Sequence, residues 1–417
     1  SDSVADWCVF HRSKGKAFYG QLNSTAAFVD DAGDGRWHDT DPTSTVFTVG
    51  SDSEVNQSGQ SYVAYLFAHN DDDGGFGSTG DQDIIKCDSF ATDSSGVANV
   101  TLGFEPQWFL IKRTDLYTTQ DWFLLDNIRG MEIGQSGLAI SPNTTGAEAN
   151  TGAFDLNATG IKISSMTASA NYIYMAIRRG PMITPTAGTQ VFFPDLITAN
   201  QSDRSETGIG FSPDVIINLV RSRANHGQQI SSRITGPTQQ LFINYNSAES
   251  ASNGTALKSF DMDGYTLGAD TAGNGWNRYT GDTSVKHCFK RSPGFLDVVA
   301  YTGTGSATTV SHNLGVTPEL ILIKNRGATE DWVVYSRSDA TDHLHLNTGD
   351  ATADEDGFFN DTAPTSSVFT VGDEDEVNGS YNYIAFLFAT VAGVSKVGTY
   401  SGTGNDINVD CSFTSGA

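Results

Sequence analysis

At 417 residues, with 38% hydrophobic, 11% aromatic and 18% charged residues, the chain holds enough material for two to four domains and is too aromatic for disorder and too polar for a membrane-embedded protein. The 24 Lys and Arg against 49 Asp and Glu leave a formal charge of −25, which repels phosphate backbones and anionic bilayers and argues against nucleic-acid and membrane partners. No apolar run approaches the roughly 18 residues of a spanning helix, and Cys8, Cys87, Cys288 and Cys411 are too scattered for a zinc site or a disulfide framework.

In chain order, the first elements that stand out are Pro42-Thr-Ser-Thr-Val-Phe-Thr-Val-Gly50 and Ser61-Tyr-Val-Ala-Tyr-Leu-Phe-Ala68, and both return late in the chain, as Pro364-Thr-Ser-Ser-Val-Phe-Thr-Val-Gly372 and Asn382-Tyr-Ile-Ala-Phe-Leu-Phe-Ala389. Between them, Leu102-Gly-Phe-Glu-Pro-Gln-Trp-Phe-Leu-Ile-Lys recurs as Ile209-Gly-Phe-Ser-Pro-Asp-Val-Ile-Ile-Asn and as Leu314-Gly-Val-Thr-Pro-Glu-Leu-Ile-Leu-Ile-Lys. Gly103, Gly210 and Gly315 are 107 and 105 residues apart. The closing landmark also appears as Asn171-Tyr-Ile-Tyr-Met-Ala-Ile-Arg178, and in degenerate form over 284–290. This periodicity predicts a tandem array of modules about 105 residues long: a partial module over 1–70, modules over 71–181, 182–293 (divergent) and 294–390, and the opening strands of a further module over 391–417.

Each module reads as an antiparallel β-sandwich, jelly-roll-like, because short runs of Val, Ile, Thr, Phe and Tyr alternate with Gly, Asn, Asp and Ser punctuation. No window sustains a 3.6-residue apolar period over three turns, so helix is expected to be minor. In 318–324 the alternation puts Leu320, Leu322 and Lys324 on one face and Ile321 and Ile323 on the other. The two ends fall inside modules. The first unit lacks its opening strands, and 391–417 repeats those strands and could complete it by circular closure or strand donation, although neither piece has a counterpart of 318–324. The expectation is an excerpt of a longer chain.

Several motifs carry candidate chemistry. Gly75, Gly77 and Gly80 spell a dinucleotide-binding fingerprint, but a strand-like Ile84-Ile-Lys-Cys follows where a helix should, so a turn is expected. The same loop supplies Asp71, Asp73, Asp81 and Asp83 among glycines, a pattern of hard oxygen donors on a pliable loop that makes calcium the candidate cofactor; a hydrated acidic linker is the plainer reading. His343 and His345 share a strand face and could meet one metal, although outward polar residues alternating with core leucines explain the pattern more simply. Asp6-Trp7, Asp121-Trp122 and Asp331-Trp332 repeat at one module position, which favours a structural plug with its N–H bonded over a sugar-stacking platform. The third module lacks this pair. Its stretches 224–236 and 270–283 diverge most, and Trp276, Arg278 and Tyr279 form an aromatic-cationic cluster expected to bind outside its own module, a sugar, a protein or a neighbouring chain. No serine elbow, paired-histidine zinc motif or phosphate loop is present in the sequence.

The phrases around Leu296-Asp-Val-Val-Ala-Tyr-Thr-Gly-Thr-Gly, His312-Asn-Leu-Gly-Val-Thr-Pro-Glu-Leu-Ile-Leu-Ile-Lys, Val46-Phe-Thr-Val-Gly and Tyr62-Val-Ala-Tyr-Leu-Phe-Ala resemble repeats in tail-fibre-like virion structural proteins of tailed bacteriophages. The resemblance covers nearly the whole chain and implies an extracellular, non-enzymatic virion component, with no catalytic residues to carry over. The expected function is a tail-fibre or appendage protein contacting the host surface. Its expected partners are other virion proteins, further copies of itself and a host-surface glycan or protein. A polysaccharide depolymerase and a cellular adhesin or surface-layer protein are the alternatives.

Overall fold

The computed structural model describes residues 5–413 apart from 32, 34, 78, 79, 116–118, 130, 181, 182, 225, 253, 271–274 and 338, with the backbone alone at 339 and 340. The chain is all-β, with 38% strand and 4% helix, and is a tandem array of antiparallel sandwich modules. It divides into two compact units, Ser1–Arg179 and Gly180–Ala417. Among the described residues no helix is long and apolar enough to cross a membrane.

The fourth module shows the full pattern. Six antiparallel strands lie in the order Leu296–Thr302, Asn382–Phe388, Leu320–Asn325, Val333–Ser336, Asp339–His345, Ala353–Asp354, and a two-stranded sheet of Thr308–Ser311 and Val368–Val371 accompanies them. The strand Asn382–Phe388 is central, so its run of apolar residues is buried on both faces rather than alternating. Tyr383, Ala385 and Leu387 meet Ile321, Ile323, Val299, Val310 and Phe369 in one core cluster. Ile321 and Ile323 are thus the inward pair in the alternation of 318–324.

The third module repeats the order with Phe192–Thr198, Thr283–Phe289, Val215–Val220, Gln229–Ser232, Gln239–Phe242 and Ser250–Ala251, plus a sheet of Arg204–Thr207, Gly264–Leu267 and Leu257–Asp261. Its degenerate closing segment is therefore a central strand in the same place. The second module pairs Ile85–Ala91, Asn171–Arg178, Pro106–Arg113 and Phe123–Asp126 in one sheet, and Ala98–Thr101, Gly160–Ser164, Ala149–Asn157 and Ser136–Ala139 in the other. Among its described residues the first module forms Cys8–Val9, Phe18–Gln21 and Val29–Asp30 in one small sheet, with a short helix Ser53–Asn56.

The repeated glycine landmark has a backbone cause. Gly103, Gly210 and Gly315 take φ of 80°, 86° and 76°, the left-handed region that residues with a Cβ avoid. Each turns the chain toward a central-sheet strand, and the proline three residues on holds the approach extended.

Candidate functional site

Two sets of side chains concentrate polar chemistry, and the first, repeated in register across modules, is a joint. Trp122 and Trp332 are buried, and each indole N–H donates to a carbonyl of the module before it, Gln21 O at 2.9 Å and Phe242 O at 2.8 Å. The acceptors are counterparts, because each ends a strand and stands two residues before an asparagine. In both units a lysine on the Leu-Ile-Lys strand does the same. Lys112 Nζ donates to Thr25 O at 2.9 Å and Lys324 Nζ to Asn246 O at 3.2 Å. Burial pushes both ammonium groups down to about 8. The preceding aspartate fixes the loop: Asn143 Nδ2 donates to Asp121 Oδ1 and Asn347 Nδ2 to Asp331 Oδ1, both at 2.7 Å, while the asparagine oxygens accept the tryptophan backbone N–H groups at 3.0 and 2.8 Å.

The Asp-Trp pair is thus a plug, as its repetition predicts, but it seals a seam between modules rather than its own core. Trp7 departs from the pattern. Its loop clasp is the same, Trp7 N to Asn23 Oδ1 at 3.0 Å and Asn23 Nδ2 to Asp6 Oδ1 at 2.7 Å, yet it is 53% exposed and stacks against Tyr65. The third module has Gln228 at this position, with Asn244 Oδ1 accepting its N–H at 2.9 Å and its side chain turned back to Val220 N at 3.0 Å.

The second set lies on the third module. A shallow indentation of about 240 Å³, part of it open solvent, is lined by His226, Arg278, Tyr279 and Asp282 among others. Arg223 grips Asp282 through Nε at 2.8 Å and Nη2 at 3.3 Å, and this contact holds the Asp282 carboxyl below its usual range. The Arg223 guanidinium also lies 3.9 Å from the Tyr279 ring centre and that of Arg278 4.6 Å, while His226 meets the ring edge-on at 5.7 Å. Among the described residues Arg278 forms no ion pair.

This geometry corrects the expectation for Trp276, which is 1% exposed and sits in its own module's core with Ile216, Tyr265 and Leu267. Its indole donates to Gln240 Oε1 at 3.0 Å and its carbonyl accepts from Lys286 Nζ at 2.9 Å. A side chain so enclosed cannot act as an outward contact. The strand register explains the burial: Ser284 stands where the fourth module has Tyr383, and Lys286 where it has Ala385. With these smaller or polar residues in the strand, the Trp276 ring lies in the core beside Lys286, whose Nζ is 5.5 Å from the ring centre. Arg278 and Tyr279 stay at the surface, joined by Arg223, Asp282 and His226, which sequence reasoning passed over. The signal available for them was their place in or beside the two divergent stretches; residues 271–274 of the second stretch lie outside the described residues.

The four aspartates of the acidic loop do not converge on a calcium site. Among the described residues they do not form a group able to share one ion. Asp83 is buried and accepts the N–H groups of Asp72 at 3.0 Å and Gly74 at 3.2 Å, Asp73 accepts that of Asp71 at 3.0 Å, and Asp71 pairs with Lys86 at 3.3 Å. These carboxylates are spent on shaping a turn, which Phe76 and Gln82 close by an antiparallel bridge.

The histidine pair is also corrected. His343 is buried with its ring 3.6 Å from Phe358, so it faces inward, whereas Leu346 is exposed. His345 does meet carboxylates: Asp331, His345 and Glu376 bring ligand atoms within 4.8 Å of one another, with His345 Nε2 2.9 Å from Glu376 Oε2. The first module has Asp6, Gln21 and Glu54 at the same three positions, and there Gln21 Nε2 donates to Asp6 at 2.8 Å and to Glu54 at 3.5 Å. In both modules a side-chain nitrogen thus stands against the same glutamate, Gln21 against Glu54 and His345 against Glu376.

A family model described as "Domain of unknown function (DUF7483)" matches residues 1–181 and again 188–416. The chain belongs to this family. Each DUF7483 match spans a pair of modules joined by one tryptophan, Trp122 in the first and Trp332 in the second, and the gap between matches falls beside the division of the chain into its two units. No curated protein matches the chain.

Proposed function

We propose that this chain is a non-enzymatic structural protein of a virion, a tail-fibre or appendage component that touches the host surface through its third module. The observation that carries the reading is the joint. Tryptophan and lysine N–H groups bind carbonyls in one register in both units, so the side chains that recur most faithfully hold modules together. Arrays of this kind act as scaffolds whose separate surfaces vary freely.

The third module supports the contact role, because Arg223, Arg278 and His226 gather around Tyr279 on a chain whose formal charge is −25. The Arg223 guanidinium already covers the Tyr279 ring, so ion pairing through Arg278 is favoured over sugar stacking, and the ligand class is an anionic surface glycan. Immunogold labelling of native particles with antibodies to the chain tests the reading. Label on phage tail appendages is expected, together with loss of host-cell adsorption by Arg278→Ala chains. Label confined to cell envelopes would replace it with an adhesin, and release of reducing ends from host polysaccharide with a depolymerase.

A further inference from the structure

The third module's core holds a polar pair where its siblings are apolar. Lys286 and Asn218 are direct partners across neighbouring strands. At the same place the fourth module pairs Ala385 with Ile323, and the second pairs Tyr174 with Ile111. Both polar side chains are fully enclosed, at 0% exposed. A third member stands in the same layer, because Asp195 is the partner of Lys286 on its other flank, and residues directly opposite one another share a face of the sheet. Asp195 Oδ2 accepts the Tyr265 hydroxyl at 2.6 Å.

The carboxamide of Asn218 is held in one orientation. Its Nδ2 donates to Gln229 Oε1 at 2.5 Å and to Gly275 O at 3.2 Å, so Oδ1 is the end that meets the amine of Lys286. Nζ also contacts Trp276 O at 2.9 Å and Ser284 Oγ at 2.8 Å. A neutral amine directs its two hydrogens at those two oxygens and keeps its lone pair for the carboxamide. Burial supplies the neutral form: it pushes the Lys286 ammonium down to about 7, and of the charged groups nearby Asp195 acts on it most strongly.

We infer that Lys286 Nζ attacks Asn218 Cγ and that the two side chains close into an amide cross-link, with loss of ammonia. The Nζ–Cγ bond forms and the Cγ–Nδ2 bond breaks. One proton of the neutral amine passes to Nδ2, which leaves as ammonia, and Asp195 is the carboxylate of the layer that relays it. No oxidant or cofactor enters the balance. Groups fixed in contact react as if at very high concentration, about 10⁵–10⁸ M in well-oriented cases, which offsets the low reactivity of an amide. Trp276, Tyr265 and Leu267, packed in the same core, keep water from the pair.

Before the bond closes Lys286 is a titrating amine, and the pH dependence of stability that it confers belongs to that unlinked chain; afterwards it is an uncharged amide. The link ties Val215–Val220 to Thr283–Phe289, through residues 68 positions apart. It therefore closes a long loop in the unfolded chain and stabilises the third module. The inference is independent of the virion reading.

Intact-mass measurement of the full folded chain tests it. The unaltered chain is expected to weigh one ammonia less than its sequence, and Lys286→Met and Asn218→Ala chains to show their full sequence masses. Trypsin should no longer cut after Lys286, and the digest should contain a branched peptide joining 205–221 to 279–290. Asp195→Asn, which keeps the side chain's shape, should lower the linked fraction; a fraction equal to that of the unaltered chain would remove Asp195 from the step. An unaltered chain at its full sequence mass overturns the proposal without any variant having to fold. Ammonia loss that persists in Lys286→Met, or cleavage after Lys286 in a chain one ammonia light, overturns it equally, because the loss then lies elsewhere.

Discussion

Lys286 shows how one side chain changes what its neighbours must be. It lies in a core-facing position of a central strand, with Nζ bonded to Asn218 Oδ1, to Trp276 O at 2.9 Å and to Ser284 Oγ at 2.8 Å. Burial pushes its ammonium down from 10.5 to about 7. Between those values the unfolded chain binds the proton that the folded chain has released, so stability rises with pH there and is flat below about pH 7. Urea midpoints of the third module are expected to climb between about pH 7 and pH 10, and Lys286→Met should remove that share of the slope; an unchanged slope would mean that Lys286 keeps its proton when folded. The same residue explains a failure of sequence reading. Trp276 beside Arg278 and Tyr279 has the composition of a contact surface. Only the strand register shows that Ser284 stands in a tyrosine's place, and only the packing shows that the indole is enclosed in the core.

At the scale of elements, the sequence was most legible where backbone geometry permits few residues. The Leu-Gly-Phe, Ile-Gly-Phe and Leu-Gly-Val landmarks mark a turn with positive φ, and period-two alternation identified Ile321 and Ile323 as one face. A Cβ on Gly315 would meet nothing within 4 Å, so Gly315→Ala should cost only the left-handed backbone penalty, about 1–2 kcal/mol, measured by urea unfolding. A much larger loss would mean that the turn also packs against something. What local patterning could not provide was which surface an element meets. Asp-Trp repeats identically in three places, but two indoles close a seam while Trp7 is exposed, and the acceptor carbonyls of Gln21 and Phe242 leave no trace in side-chain identity. Composition could not separate the two readings of the acidic loop for a related reason: carboxylates that bind backbone N–H groups of their own loop, as Asp83 does, have the same composition as those that bind an ion.

For the whole molecule, modules coupled in pairs are the unit of organisation. Both family matches and both compact units contain one tryptophan joint, and the third module, with Gln228 in that position, opens the second pair. Trp332 makes the claim testable within residues 180–417. Trp332→Phe keeps one aromatic ring but leaves the Phe242 carbonyl without its donor, about 1–3 kcal/mol before the smaller ring's packing loss, and Trp332→Ala opens a larger cavity, about 3–5 kcal/mol in all. The decisive measurement is hydrogen exchange of the full chain across a urea series, read at Val215–Val220 in the third module and at Leu320–Asn325 in the fourth. If the joint couples the pair, the two strands open at one midpoint in the unaltered chain and at two separate midpoints in Trp332→Ala. Separate midpoints in the unaltered chain, or a single shared midpoint that survives loss of the indole, would contradict it.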